Sequence, residues 1–451
     1  MNQPIGAVPA AKRALGFWMA TALVVGNIIG AGIFVMPAAL APFGLNALTG
    51  WLVTVAGCAC LAIAFADLAR RFPHDDGPYA YTQRAFGPAA AFIVMWCYWV
   101  SVWVANAAIA IGVVGYVMFF APSLAAGTVL PPLIALALVW AFVLINLRGV
   151  RTAGWVQVLT TLLKLVPQAA VVLLGVVLLL THPHVYKEHL PPNPASWREV
   201  ASVSSIALFA MLGIECATIP AARVHDPQRT IPRATLAGTL LAALIYICIS
   251  VVPMLLIPQH ELAASNAPFA DLFAQRLGGN WGAVLAAFVA ISGLGALNGW
   301  TLVIGEVTQT MAKHRGFPPA LAKENAHAAP ARAFIFTGIV TSIMLLFNYV
   351  GSVAQMFVFL SLIATNLTLP LYLIDALAVL RLRSAPGAAP APTLLRAAAA
   401  ILAALYCGWI LYGIAARPLL AGIGFGLAGV PVYLWSLHRE KQAAAAAGTL
   451  S

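Results

Sequence analysis

Four ionisable side chains, Lys164, Glu215, Glu306 and Asp375, stand well inside long apolar stretches of this chain. At the centre of a bilayer each costs roughly 2.5–3.5 kcal/mol, so each calls for a function or a partner. Glu215 follows Gly213 in an interrupted apolar stretch, Met211–Cys216. Its carboxyl is expected to face a central cavity, where it can exchange a proton as the cavity changes exposure; the plainer role is to bind amides freed by the interruption. Lys164 lies about 18 Å beyond Thr152 at 1.5 Å per helical residue, too deep to reach the membrane surface. It must be neutral, or paired with carbonyls and carboxylates. It could take the place of a sodium ion beside a broken helix, or serve as a permanent internal brace, and both readings stay open. Glu306 and Asp375 stand nearer the ends of their stretches, where loop contacts or a vestibule explain them as well as a proton path does.

Three uncharged residues, Asn106, Asn298 and Trp300, are candidates to line such a cavity. An asparagine in an apolar span must find a partner, and an indole face attracts a cation by about 0.5–2 kcal/mol. The backbone supplies a further candidate. Gly26-Asn27-Ile28-Ile29-Gly30-Ala31-Gly32-Ile33-Phe34 carries three glycines in its first seven residues, each weakening a helix by about 1 kcal/mol relative to alanine. A break at membrane depth is tolerated only where it lines a cavity, and there its free amides and carbonyls can meet the charged ends of a substrate. The histidines fall outside the apolar stretches and the six cysteines, Cys58, Cys60, Cys97, Cys216, Cys248 and Cys407, fall inside them. This pattern predicts no disulfide, metal or cofactor. With no nucleophile–base pair, it points away from an enzyme.

The elements that must carry these residues follow from composition. The chain is 62% hydrophobic and 8% charged over 451 residues, far from the balance of a soluble domain. Its net charge of +11 therefore belongs to loops at a membrane surface rather than to a nucleic-acid partner. Taking about 20 apolar residues per crossing gives an all-α membrane protein of twelve spans: 14–41, 45–69, 86–120, 128–147, 152–180, 199–223, 233–257, 281–313, 333–350, 353–381, 394–416 and 419–437. With the N-terminus in the cytoplasm, only Lys187, Arg198, Arg276 and Arg417 of the 24 lysines and arginines fall outside, Lys164 being within the membrane. Both termini are then cytoplasmic.

The interruptions fall in the first and sixth spans, five spans apart. Units of five spans insert in opposite senses, which predicts two inverted repeats whose broken helices meet near the midplane. The chain divides into a tail (1–13), a first repeat (14–180), an outer loop (181–198), a second repeat (199–381), two extra spans (382–437) and a cytoplasmic tail (438–451). The alanine-rich end after Lys441 shows no apolar periodicity and is expected to be disordered. The loop Asp75–Pro88, rich in turn formers, is a possible intracellular gate. Arg223–Pro232 reads as a turn followed by a proline-started helix.

These motifs, with Tyr79-Ala80-Tyr81, Phe86-Gly87-Pro88 and Gly299-Trp300-Thr301, resemble the amino acid–polyamine–organocation transporter superfamily across nearly the whole chain. Within it the arginine/agmatine antiporters and the basic amino acid/polyamine antiporters are most similar. The resemblance implies a LeuT-like fold in the bacterial inner membrane, often dimeric, exchanging substrates by alternating access. It implies that Asn27, Ile28, Gly30, Ala31 and Gly32, with Phe209 and Leu212, meet the substrate's carboxylate and amine. Trp300 would then stack on its cationic end and Asn106 would bond it, with Asn298 alongside. Glu215 would sense protons, and Tyr98 and Phe209 would gate. The chain departs from the arginine/agmatine pattern at Val102, Ile109 and Ile363, which replace positions more polar or sulfur-bearing there, at Asn298, which replaces a glycine, and at Lys164. The Thr161–Val166 context of that lysine is similar to proton-coupled, broad-specificity members. The leading expectation is an exchanger of cationic amino acids or their amines. The rivals are a proton-coupled symporter of neutral or broad-range amino acids using Lys164, and, in another class, a membrane receptor or scaffold without turnover. Substrate, protons, the bilayer and a second copy of the chain are the expected partners.

Overall fold

The computed structural model describes residues 17–72, 77–121, 130–148, 150–182, 184, 194–215, 227–327, 329–347, 352–382 and 393–448. The described residues are helical or irregular, as a bilayer requires of a chain with no closed barrel to satisfy its backbone. In chain order the helices are α1 (Phe17–Ile28), α2 (Met36–Leu40), α3 (Ala47–Arg71), α4 (Pro78–Phe86), α5 (Pro88–Met118), α6 (Leu130–Leu147), α7 (Val150–Thr181), α8 (Trp197–Ala210) and α9 (Pro227–Leu256). There follow α10 (Gln259–Ala264), α11 (Pro268–Leu277), α12 (Trp281–Lys313), α13 (Ala331–Phe347), α14 (Val353–Arg381), α15 (Leu394–Gly413), α16 (Ala416–Leu427) and α17 (Gly429–Gly448).

Local sequence sets many of these ends. Pro88 opens α5 at the position where a missing N–H costs nothing, directly after Gly87, whose φ of 88° ends α4 and turns the chain. Ser196 with Glu199, and Ser352 with Gln355, form reciprocal capping boxes at the starts of α8 and α14. The loop expected at Asp75–Pro88 is in part a helix, α4; Asp75 and Asp76 lie outside the described residues, as do Arg223–Asp226. The expectation of a disordered end is corrected: α17 runs through the alanines to Gly448, because alanine has the highest helix propensity and needs no apolar face to continue a helix already begun.

Nine helical stretches among the described residues are long and apolar enough to cross a membrane. The expected first and sixth spans are absent from that set because each is interrupted. The ninth appears as the shorter apolar helix Ala331–Leu346. Packing pairs the elements regularly: α1 lies on α9 and α8 on α3, while α7 lies on α12 and α14 on α5. Both of the first two contacts depend on a glycine. A Cβ on Gly50 of α3 would come within 2.4 Å of Val203 on α8, and one on Gly238 of α9 within 2.7 Å of Val24 on α1. Small residues here let the helices approach closely, the main source of helix attraction in lipid. Ser204 and Thr54 add hydrogen bonds across the α3–α8 contact, to Gly50 O and Ser204 O.

Candidate substrate site

Helix α1 stops at Ile28, Gly30 is extended (φ −102°, ψ −177°), and a 3-10 turn resumes at Ala31–Phe34 before α2. The carbonyls left without helical partners are met by side chains from three other helices. Tyr246 on α9 donates its hydroxyl to Ile28 O at 2.7 Å, Lys164 on α7 donates Nζ to Ile29 O at 2.8 Å, and Tyr116 on α5 donates to Phe34 O at 2.7 Å. Every one of these donors is buried, Lys164 to 3% exposure. The contact of Lys164 Nζ with Ile29 O suits both an internal brace and a cation held beside the break. The amides that open the new segment at Ala31 and Gly32 have no carbonyl of their own helix behind them, the usual situation at a helix start.

The second interruption begins where α8 ends at Ala210. Met211–Gly213 turn, with Gly213 at φ 107°, a conformation in which a side chain is strained. Glu215 folds back over this turn. Its Oε2 accepts from the Gly213 amide at 3.1 Å and from the Tyr372 hydroxyl of α14 at 2.6 Å, and its Oε1 accepts from the Tyr98 hydroxyl of α5 at 2.9 Å. The carboxyl is 2% exposed, so it joins three elements below the break instead of facing open space. Cys216 lies outside the described residues.

Between the two breaks is a cavity lined by residues that include Ile28, Gly30, Gly32, Phe209, Leu212 and Trp300. These six were all sequence candidates. The Trp300 indole nitrogen would lie 3.8 Å from a Cβ on Gly30, and the Phe209 ring packs on Gly32 so tightly that a Cβ there would stand 2.7 Å from it. Phe209 is held edge-on by Phe357 at 5.5 Å between centroids. Asn27 and Ala31 lie outside the residues whose side chains are described.

Other candidates take different places. Asn298, two residues from Trp300 and so on another side of α12, accepts from Asn146 on α6 at 3.1 Å and is not among the cavity lining. Asn106 is buried on α5 next to the lining residue Ala105, and its Oδ1 has no hydrogen-bond partner among the described residues. Tyr98, Glu215 and Lys164 flank the cavity without lining it. Glu306 is exposed, whereas Asp375 is 1% exposed. Tyr246 lines the cavity and was missed from sequence. The signal was present: a tyrosine hydroxyl in the middle of an apolar span needs an acceptor, and a broken helix supplies carbonyls.

Among the described residues the lining carries no charged side chain. Selectivity for a charged ligand must then come from backbone dipoles at the two breaks, from the Trp300 ring, and from Lys164 and Glu215 just behind the wall.

The chain is similar to known membrane transporters. The family model described as amino acid permease matches residues 15–425. The chain is 31% identical to a putative arginine/ornithine antiporter of Bacillus subtilis, over 95% of this chain and 98% of the relative. It is 31% identical to a cadaverine/lysine antiporter of Escherichia coli over 82% and 84% of the two chains. It is 30% identical to a putrescine transporter of Haemophilus influenzae over 95% and 100%.

Proposed function

We propose that this chain, which belongs to the amino acid permease family, is a multi-pass secondary transporter that exchanges cationic amino acids and their amines by alternating access. It is a transporter and not an enzyme. The observation that carries the reading is the cavity where two interrupted helices meet beneath an indole. The amides of the first break can take a substrate carboxylate, the carbonyl end of α8 can take its amine, and Trp300 can stack on the cationic side chain. An amine lacking a carboxylate forgoes the first contact and keeps the other two, so one cavity can serve an amino acid and its decarboxylated or shortened counterpart. The relatives named for arginine/ornithine, cadaverine/lysine and putrescine transport span that pair of substrate types.

In this reading Glu215 exchanges a proton whose gain loosens the bonds it accepts from Tyr98 and Tyr372, and Tyr98 and Phe209 close the two sides of the cavity. Asn106 supplies a polar contact to the substrate, and Lys164 holds the first break in register. The architecture is two inverted five-span repeats followed by two further spans in the bacterial inner membrane, with both termini cytoplasmic and a homodimer as the assembly. The packing supports the inverted repeats: exchanging them turns the α1–α9 contact into the α8–α3 contact, and the α7–α12 contact into the α14–α5 contact. The glycine contacts at Gly238 and Gly50 exchange likewise.

The test is uptake of labelled arginine into vesicles containing the purified protein, preloaded with arginine, ornithine, lysine, putrescine or cadaverine, or left empty. Uptake should require an internal counter-substrate. The competing reading, a proton-coupled symporter in which Lys164 sets the coupling, draws on the 2.8 Å Lys164–Ile29 contact and the uncharged lining. Uptake that ignores internal substrate and follows an imposed pH gradient would establish it instead.

A further inference from the structure

Asp375 sits on α14, three residues beyond Tyr372 and therefore on the same side of that helix. Its Oδ1 accepts a hydrogen bond from the Thr82 hydroxyl of α4 at 3.2 Å, and its Oδ2 has no hydrogen-bond partner among the described residues. No lysine, arginine or histidine among the described residues forms an ion pair with it.

The charges on the neighbouring elements are engaged elsewhere. On α3, Arg71 pairs with Asp67 at 2.8 Å and donates to Leu382 O and Val379 O at 2.8 and 3.0 Å. Arg70 of α3 and Arg396 of α15 also pair with Asp67, at 2.9 and 3.4 Å. Arg84 of α4 lies over the Phe72 ring and Arg381 of α14 over the Phe86 ring. Towards the cavity the facing groups are Glu215 and the two tyrosines bound to it, Tyr98 of α5 and Tyr372 of α14 itself. Glu199 of α8 and Arg417 of α16 stand at the far ends of their helices.

An ionised carboxylate so placed, buried and with one oxygen bare, bears a desolvation penalty of several kcal/mol that no described residue offsets. The protonated acid bears far less. Ionising Asp375 demands water at Oδ2, and α4 stands against the same carboxyl through Thr82.

We propose that Asp375 is a second proton-carrying carboxyl, set on the cytoplasmic side of Glu215, and that its contact with Thr82 latches α4 across the cytoplasmic exit. The inference rests on the exchanger reading and orientation given above. In the step itself the O–H bond of the acid breaks as its proton bonds to a cytoplasmic water, leaving carboxylate and hydronium, and the Thr82–Oδ1 hydrogen bond gives way to water as α4 moves off. Tyr372, bound to Glu215 and one turn from Asp375, lies between the two acids and makes the proton state of one felt by the other.

The experiment uses the full chain in vesicles. Infrared difference spectra between low and high pH should show a protonated-carboxyl C=O band that disappears in Asp375→Asn. The same variant should flatten the dependence of arginine exchange on the pH of the cytoplasmic side. A cysteine placed on the buried face of α4, A85C, should react faster with a water-soluble maleimide at low pH when Thr82→Val is added, measured against the parent without A85C. An unaltered band and an unaltered pH profile in Asp375→Asn, or unaltered labelling with Thr82→Val, would overturn the proposal. Absence of exchange in the unmodified protein would count against the exchanger reading, while the infrared and labelling results would still decide the role of Asp375.

Discussion

At the first break, the carbonyls that lose their helical partners are met from outside, by donors on α5, α7 and α9. At the second, the chain turns its own Glu215 back onto the Gly213 amide and hands the rest of that carboxyl to tyrosines on α5 and α14. One break is thus held by donors, including an ammonium, and the other by an acceptor that can lose or gain a proton. The geometry of the first break depends on how three helices are packed. That of the second depends on the state of one carboxyl. A cavity bounded by both can be stable on one wall and switchable on the other, which is what alternating access requires of paired interrupted helices.

The sharpest way to break this comparison is Glu215→Ala. Two tyrosine hydroxyls and an amide lose their acceptor, at about 1–3 kcal/mol for each donor left unsatisfied. Exchange should be abolished and thermal unfolding in detergent should occur at a clearly lower temperature; exchange at the unmodified rate would remove Glu215 from the mechanism. Lys164→Ala should come next, exposing the single carbonyl of Ile29 at a cost of about 1–3 kcal/mol. It should slow exchange while leaving its requirement for counter-substrate intact, and conversion to pH-driven uptake would show that the first wall is the switch.

Gly32→Val forces the Phe209 ring aside, and overpacking of about 1–3 kcal/mol should weaken arginine binding by roughly 5- to 160-fold in equilibrium binding. Trp300→Ala should cost cationic substrates about 0.5–2 kcal/mol, a loss of roughly 2- to 30-fold in affinity, with Trp300→Phe intermediate. The smallest effect is expected from Asn298→Ala. It removes the bond to Asn146, with about 0.5–1.5 kcal/mol lost from stability and a KM for arginine that moves far less than with Trp300→Ala. A larger shift in KM than with Trp300→Ala would return Asn298 to the cavity.

Much of this was legible in the chain itself. Apolar length located the helices, and the limits 281–313 and 353–381 match α12 and α14 because charged or turn-forming residues bound them sharply. A glycine cluster located the first break and Gly213 the second, and the cost of charge in lipid singled out Lys164, Glu215, Glu306 and Asp375. Other things were closed to sequence. Asn298 and Trp300 stand two residues apart, and only the packing of α12 against α6 decided which of them faces the cavity. Asp375 and Glu306 looked equivalent, yet one is buried against α4 and the other exposed. The reason is general: composition and periodicity report how much of a residue must be shielded from lipid, which depends on that residue alone. Which neighbour does the shielding depends on contacts between segments more than a hundred residues apart, as between Lys164 and Ile29 or Tyr98 and Glu215, and those exist only once the helices have packed.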